Sequence, residues 1–326
     1  MPCLSRIKKL LAVSLLAVLP GLAAAQTYPN REIHLVVPFP PGGAVDILAR
    51  AIGQKIGESL GRSVVIDNRA GAGGAVGSAY AAKAPADGYT LLMGSTSSIS
   101  INPALNAKLP YQPQRDFTPI SLVAYVPHLL AISPSVPARN VPEFIQYAKA
   151  QPKPPAFASA GPGSPHHLAG EIFKSSTGID LLHVPYKGTG PGLVELMSGE
   201  VQLMSVEMVA ALPHVQTGKL KVLGIAAPKR SPLAPEIPTI AEAGLPGFEI
   251  TSWYGVFAPA GTPPEIVTLL SQTINTALQS PEMKESLAKM GATPGGGTAQ
   301  EFAAHVRRED QKWSSAAKKA NVRLDM

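Results

Sequence analysis

One cysteine, Cys3, occurs among the 326 residues, and it lies in a segment that reads as cleaved. The mature chain would then have no disulfide, no thiolate metal site and no cysteine nucleophile. Long apolar runs are missing too. After the first residues, no stretch is long and apolar enough to cross a bilayer. No Gly-x-Ser-x-Gly elbow and no His-Glu-x-x-His helix occurs, so a hydrolase would need a dispersed Ser/His/Asp triad. Gly71-Ala72-Gly73 follows a strand pattern, but Val76 stands where a dinucleotide fingerprint needs its third glycine. No basic run with interleaved aromatics points to nucleic acid. His166 and His167 are adjacent and so face different ways on a helix, which makes them no chelating pair. No metal and no cofactor is implied, and an enzyme is not expected.

What is present begins at the first residues. Arg6, Lys8 and Lys9 form a positive cluster, residues 10–19 an uncharged apolar core, and Pro20-Gly21 a break before Ala23-Ala24-Ala25. This is the layout of a cleavable export signal, with cleavage expected after Ala25. Cys3 leaves with it, and no later cysteine could carry a lipid anchor. Three positive charges also leave, from a formal net charge of +6, so the remaining balance is mild. The expected location is a bacterial periplasm.

The rest alternates β-branched runs with helical patterns. Ile33-His34-Leu35-Val36-Val37 reads as a strand, and Val45, Leu48, Ile52, Ile56 and Leu60 then recur at helical spacing. Residues 63–67 and 90–93 predict further strands, the latter ending at Gly94-Ser95-Thr96. A second block repeats the rhythm from residue 156 to 226. Such β-loop-α order implies helix-covered, mainly parallel sheets. The proline-rich residues 119–142 predict irregular chain between the blocks, and residues 244–255 a return loop followed mainly by helix. The expectation is an α/β protein of two lobes. Residues 26–127 with 249–326 form one, and residues 128–248 the other.

Three strand-to-helix junctions carry the candidate chemistry. They are Phe39-Pro40-Pro41-Gly42-Gly43-Ala44-Val45-Asp46, Ser159-Ala160-Gly161-Pro162-Gly163-Ser164-Pro165-His166 and Tyr186-Lys187-Gly188-Thr189-Gly190. The first N–H groups of a helix lack partners and sit at the positive end of its dipole. An anion can bind there without a charged side chain. In open α/β sheets ligands collect beyond the carboxyl ends of the strands, so such loops on two facing lobes describe a cleft. Asp46 either borders this cleft or caps its own helix. Lys187 reads as a solvated loop lysine, and Trp253 as packing.

These residues also resemble a known family. Val37-Pro38-Phe39-Pro40-Pro41-Gly42-Gly43 with Asp46, Val65-Ile66-Asp67-Asn68-Arg69-Ala70-Gly71-Ala72-Gly73-Gly74, Ala86-Asp87-Gly88-Tyr89-Thr90-Leu91-Leu92, His183-Val184-Pro185-Tyr186-Lys187-Gly188 and Pro238-Thr239-Ile240-Ala241-Glu242-Ala243-Gly244 are its carriers. Together they resemble the substrate-binding receptors of tripartite tricarboxylate transporters, the Bug group. The resemblance implies a periplasmic binding protein of type II, a Venus-flytrap-like pair of lobes closing on a small organic acid. It implies an integral-membrane permease as partner, a monomeric receptor, and no nucleic acid. In such receptors two loops hold a ligand carboxylate through backbone amides and waters. The matching positions here are Phe39, Pro41, Gly42, Gly43, Ala44, Val45 and Asp46 in the first loop, and Ser159, Gly161, Gly163, Ser164 and His166 in the second. Ser95, Lys187, Gly188, Val206 and Glu207 complete the expected ligand-binding set.

Two departures from the family bear on specificity. Many relatives have Thr where Val45 stands, and Phe-Asp-Asn where Ser205-Val206-Glu207 stands. An acid has moved by one position and an amide is gone, so the ligand preference is expected to differ from the common one, and the apolar Val45 predicts a ligand with a larger apolar body than aspartate. A sensory role, with the receptor presented to a sensor kinase, shares the same binding chemistry and remains the alternative.

Overall fold

The computed structural model describes residues 28–106 and 108–320. The expected signal, its cleavage point after Ala25, and Cys3 lie outside the described residues.

β1 (Ile33–Val37) is an almost wholly buried apolar run, as a strand covered on both faces requires. α1 (Ala44–Leu60) buries Val45, Leu48, Ile52 and Ile56 on one face. It ends at Gly61, whose φ of 66° lets its N–H reach the Gly57 carbonyl. β2 (Val64–Asn68), α2 (Ala75–Ala82) and β3 (Thr90–Ser95) complete the first block, in which β1 pairs in parallel with both β2 and β3. A π-helical segment (Thr96–Ile101) and the short helices α3 (Asn102–Leu105) and α4 (Pro113–Asp116) lead to β4 (Phe117–Ile132).

After α5 (Val141–Ala150) the rhythm returns: β5 (Ala156–Ser159), α6 (Pro165–Thr177), β6 (Leu182–Pro185), α7 (Thr189–Ser198), β7 (Leu203–Glu207), α8 (Met208–Gln216) and β8 (Lys221–Ile225). β5 pairs in parallel with β6 and β7. The chain closes with β9 (Thr251–Pro259), α9 (Pro264–Gln279), α10 (Pro281–Lys289), β10 (Thr293–Gly296) and α11 (Ala299–Ala320).

Two segments differ from the sequence expectation. The prolines of residues 119–142 predict irregular chain, yet Pro119 and Pro127 lie inside β4. Proline has no N–H to donate, so a strand tolerates it at bulges and ladder ends. That is where these sit. The β4–β9 register shifts between Pro119 and Ser121, and Pro127 faces Thr251 in the last pair. Residues 244–255 predict a loop, yet β9 begins at Thr251. Gly255 marks packing rather than a turn, because a Cβ there would lie 2.2 Å from Phe302 Cζ.

The strand order is β2-β1-β3-β9-β4-β7-β5-β6, with β10 and β8 also on β4. The part of β4 up to Pro127 pairs with β9 and β10, and residues from His128 onward pair with β7 and β8. All the pairings of β4 are antiparallel, so each lobe has a mixed sheet where the β-loop-α rhythm predicts a mainly parallel one. Each lobe has its own core. One gathers Val36, Leu92, Phe117, Trp253, Phe257 and Phe302, the other Leu130, Phe144, Phe157, Phe173, Leu223 and Phe248. Among the described residues no helix is long and apolar enough to cross a membrane.

Candidate functional site

Five helix starts meet at one small cavity. Its lining includes Gly43, the N-cap of α1; Ser95, the N-cap of the π-helical segment; Ser164, the N-cap of α6; Thr189, the first residue of α7; and Glu207, the N-cap of α8. Phe39, Val45, Ser97, Ala160, Pro165, His166, Ser252 and Tyr254 complete it. The space open to a water is about 20 Å³, room for roughly one water molecule. No lysine or arginine lines it.

The first loop is held open by its own side chains. Gly42 has φ 86°, and its N–H donates to Asp46 Oδ2 at 3.1 Å. Asp46 also accepts from Arg50 Nη2 at 2.9 Å and from Asn68 Nδ2 at 3.0 Å. Burial alone would raise its carboxyl, but the bonds from Arg50, Asn68 and Gly42 hold it below the usual carboxylate range. Asp46 therefore braces the loop and is not among the cavity residues.

The second loop is braced in the same manner. Ser159 Oγ lies 2.7 Å from His183 Nε2 and accepts from the Gly161 N–H. Gly161 and Gly163 have φ of 119° and 71°, conformations that favour glycine. His167 Nδ1 accepts from the Gly163 N–H, and its ring stacks on His183 at 4.0 Å. Burial lowers both imidazoles, His183 to about 4.

Glu207 is the electrostatic centre of the cavity. Its Oε2 accepts from His166 Nε2 at 2.9 Å and from Thr189 Oγ1 at 3.1 Å, and its Oε1 from the Tyr254 hydroxyl at 3.0 Å. Burial by itself would raise this carboxyl. The attraction and hydrogen bond of His166 outweigh that and hold it far below the usual carboxylate range. Burial and the Glu207 charge push the Tyr254 phenol far up, so it stays a donor. Behind this cluster, His128 bonds Ser205 Oγ at 3.0 Å and Ser252 Oγ at 2.8 Å, and its ring lies 5.1 Å from that of His166. Burial lowers His128 to about 3.

Of the expected ligand-binding residues, the cavity gathers Phe39, Gly43, Val45, Ser95, Ser164, His166 and Glu207. Pro41, Gly42, Ala44, Asp46, Ser159, Gly161, Gly163, Lys187, Gly188 and Val206 are not in its lining. Val206 is buried one position before Glu207 on β7, and side chains alternate faces along a strand. Lys187 is exposed. Ala160, Pro165 and Thr189 belong to the candidate junctions but are not in the expected ligand-binding set, while Ser97, Ser252 and Tyr254 enter unforeseen. Ser252 and Tyr254 were hidden by the reading of residues 244–255 as loop. Their alternation with Trp253 and Gly255 is the signal that could have revealed a strand with one face on the cleft.

Comparison with known proteins agrees with this geometry. Residues 48–322 match the family model described as a tripartite tricarboxylate transporter family receptor. The protein BugT of Bordetella pertussis is 40% identical over 308 residues, covering 93% of this chain and 94% of its own. The R. palustris protein Rpa4515, solved with adipate, superposes with a TM-score of 0.88 at 41% identity, over 91% of this chain and 99% of that one. MatC of Rhodopseudomonas palustris, solved with malate, gives 0.83 at 35% identity, over 88% and 99%. With two lobes, a cleft of converging helix starts and this breadth of likeness, the chain belongs to the tripartite tricarboxylate transporter receptor family, a family of periplasmic receptors.

Proposed function

We propose that the protein captures a small organic acid in the periplasm and delivers it, as a monomer, to an integral-membrane permease of the tripartite tricarboxylate transporter type. The observation that carries this is the convergence of five helix starts on a cavity without lysine or arginine. Such starts offer unpaired N–H groups and positive dipole ends to an anion. The solved relatives with adipate and malate support the ligand class. A liganded cleft needs more room than one water, so the lobes must part to load it. Lobe 1 is residues 26–127 with 249–326 and lobe 2 residues 128–248, hinged near residues 122–128 and 248–256. Export follows from the basic and apolar first residues, with cleavage after Ala25.

The same geometry argues against a hydrolase. A triad needs the acid on one ring nitrogen of histidine and the nucleophile on the other. Here Glu207 and Thr189 both meet Nε2 of His166.

Thermal denaturation across a panel of organic acids tests the reading. A ligand at about 100 times Kd adds roughly 2.7 kcal/mol, a shift of several degrees. No shift with any acid, or steady consumption of one, contradicts it. Intact mass of the exported protein should start at Gln26.

A further inference from the structure

The second loop of the cleft is held by side chains that take up its own amides, and a proton can disable one of them. Ala160, Ser164, Pro165 and His166 of this loop line the cavity. Behind them, Ser159 Oγ accepts from the Gly161 N–H at 3.1 Å and Ser164 Oγ from the His167 N–H at 3.3 Å. His167 Nδ1 accepts from the Gly163 N–H at 3.2 Å. A backbone N–H can only donate, so this Nδ1 must keep its lone pair. A protonated imidazole donates from both nitrogens and cannot hold Gly163. Gly163 is buried, and a buried N–H without an acceptor is costly. The serines hold their amides at any pH, whereas His167 does so only while its ring is neutral.

The surroundings keep that ring neutral. His183 of β6 stacks on it, with centroids 4.0 Å and planes 11° apart, and Phe157 of β5 stacks on His183 at 4.9 Å. Burial lowers both imidazoles, and a charge on either ring would face the other. Glu171, one turn further along α6, pulls the other way and favours a proton on His167. Of the other elements packed on α6, β7 brings Glu207, which is bonded to His166, while β5 and the π-helical segment bring no ionisable side chain.

We propose, on the reading that the cleft holds an acid, that His167 is the positioning residue of this loop and makes it sensitive to protons. A proton on the ring releases Gly163 and with it the loop, and affinity for the acid falls. In the released loop the ring returns towards its ordinary value of 6.5, so the held loop binds fewer protons. Its advantage is complete above about pH 6.5 and is lost progressively as the pH falls below that value.

Nuclear magnetic resonance of the mature protein, titrated without ligand from pH 7.5 to 4.5, reads the loop directly. The Gly163 amide should shift together with the His167 ring. An amide that stays put while that ring ionises overturns the proposal. Calorimetry with adipate and with malate at pH 7.5 and 5.5 reads the consequence. Over this interval the wild type should lose about three- to tenfold more affinity than His167→Asn, whose amide oxygen stands near the place of Nδ1 and does not ionise. Ionisation of the acid itself is common to both proteins and drops out of the comparison. His167→Leu has no acceptor and should bind more weakly than His167→Asn at pH 7.5. Equal losses in the wild type and in folded His167→Asn overturn the proposal and leave the receptor reading intact. If neither acid binds the wild type at pH 7.5, that counts against the receptor reading, and the amide titration still decides whether His167 holds the loop. The same titration decides if His167→Asn does not fold.

Discussion

The two walls of the cleft are built on different principles. The wall from β1 and α1 presents backbone and apolar surface: Gly43, Phe39 and Val45, stiffened from behind by Asp46, Arg50 and Asn68. The wall from α6, α7 and β7 presents side chains in a closed network: His166, Thr189 and Glu207, reached across the cleft by Tyr254. On the proposed function the first wall would hold a carboxylate through backbone amides, which make no distinction beyond it. The second carries charge and fixed donors, so it can discriminate. On the proposed function, general affinity and particular specificity would thus fall to opposite walls.

Breaking the network wall should have the largest effect. His166→Ala leaves Glu207 buried without its ionic partner, and removing one member of such a pair costs about 3–5 kcal/mol of stability. The pH dependence gives the sign. The Glu207 carboxyl is lowered from 4.5 in the folded state. It therefore contributes stability above about pH 4.5 that is lost as the pH falls below that value. Urea titrations between pH 7 and 3 should show this acid loss in the wild type and a shallower one in His166→Ala. Equal slopes would mean that the pair does not set the acid limb.

Breaking the meeting of the walls should come next. A Cβ on Gly190 would lie 2.7 Å from the Pro41 carbonyl oxygen of the opposite loop. Gly190→Ala should keep the fold and hinder closure, weakening ligand binding by more than about tenfold, or ~1.4 kcal/mol. Scattering with saturating ligand should show less compaction than in the wild type. Undiminished affinity would show that closure does not bring these loops together.

The apolar wall should be more forgiving. Val45→Thr restores a hydroxyl and should shift preference towards smaller, more polar acids by a few-fold, under ~1 kcal/mol. Val206→Thr should leave the ranking unchanged, since Val206 is not in the lining. Calorimetry with both variants sharpens which side of β7 matters. Smallest of all is Lys187→Ala. Its exposed ammonium should alter affinity by no more than about twofold, and a complete loss would mean that the anion is held by a salt bridge.

How much of this could be read from sequence follows the same division. Local patterns exposed β1, α1, β5 and α6 nearly to the residue, because periodicity and caps such as Ser164-Pro165 act within a few positions. The glycine junctions marked the amide wall for the same reason. β4 stayed hidden because its prolines are tolerated only through a bulge and a ladder end, which depend on β9 some 130 residues away. Tyr254 and Ser252 were lost with β9. Thr189 was visible as a cap, but its bond to Glu207 joins two loops that nothing local connects. Glu207 stood out only as a departure from the family pattern, and its partners needed three dimensions.

One consequence concerns the mechanics of the junction between lobes. The two chain passages run side by side as an antiparallel ribbon, Val126 against Ser252 and Pro127 against Thr251. A two-ply ribbon resists splaying, since that breaks its ladder, but it yields to torsion, as the natural twist of strands shows. On the proposed lobe division, rotation of one lobe against the other would then have a single compliant axis. His128, bolted to Ser205 and Ser252 directly beyond Pro127, sits at the end of that axis like a bearing. Cargo gripped by Glu207, two residues along the strand from Ser205, would load the bearing directly. Torque generated at the ligand would thus reach the outer surfaces of both lobes through one shaft.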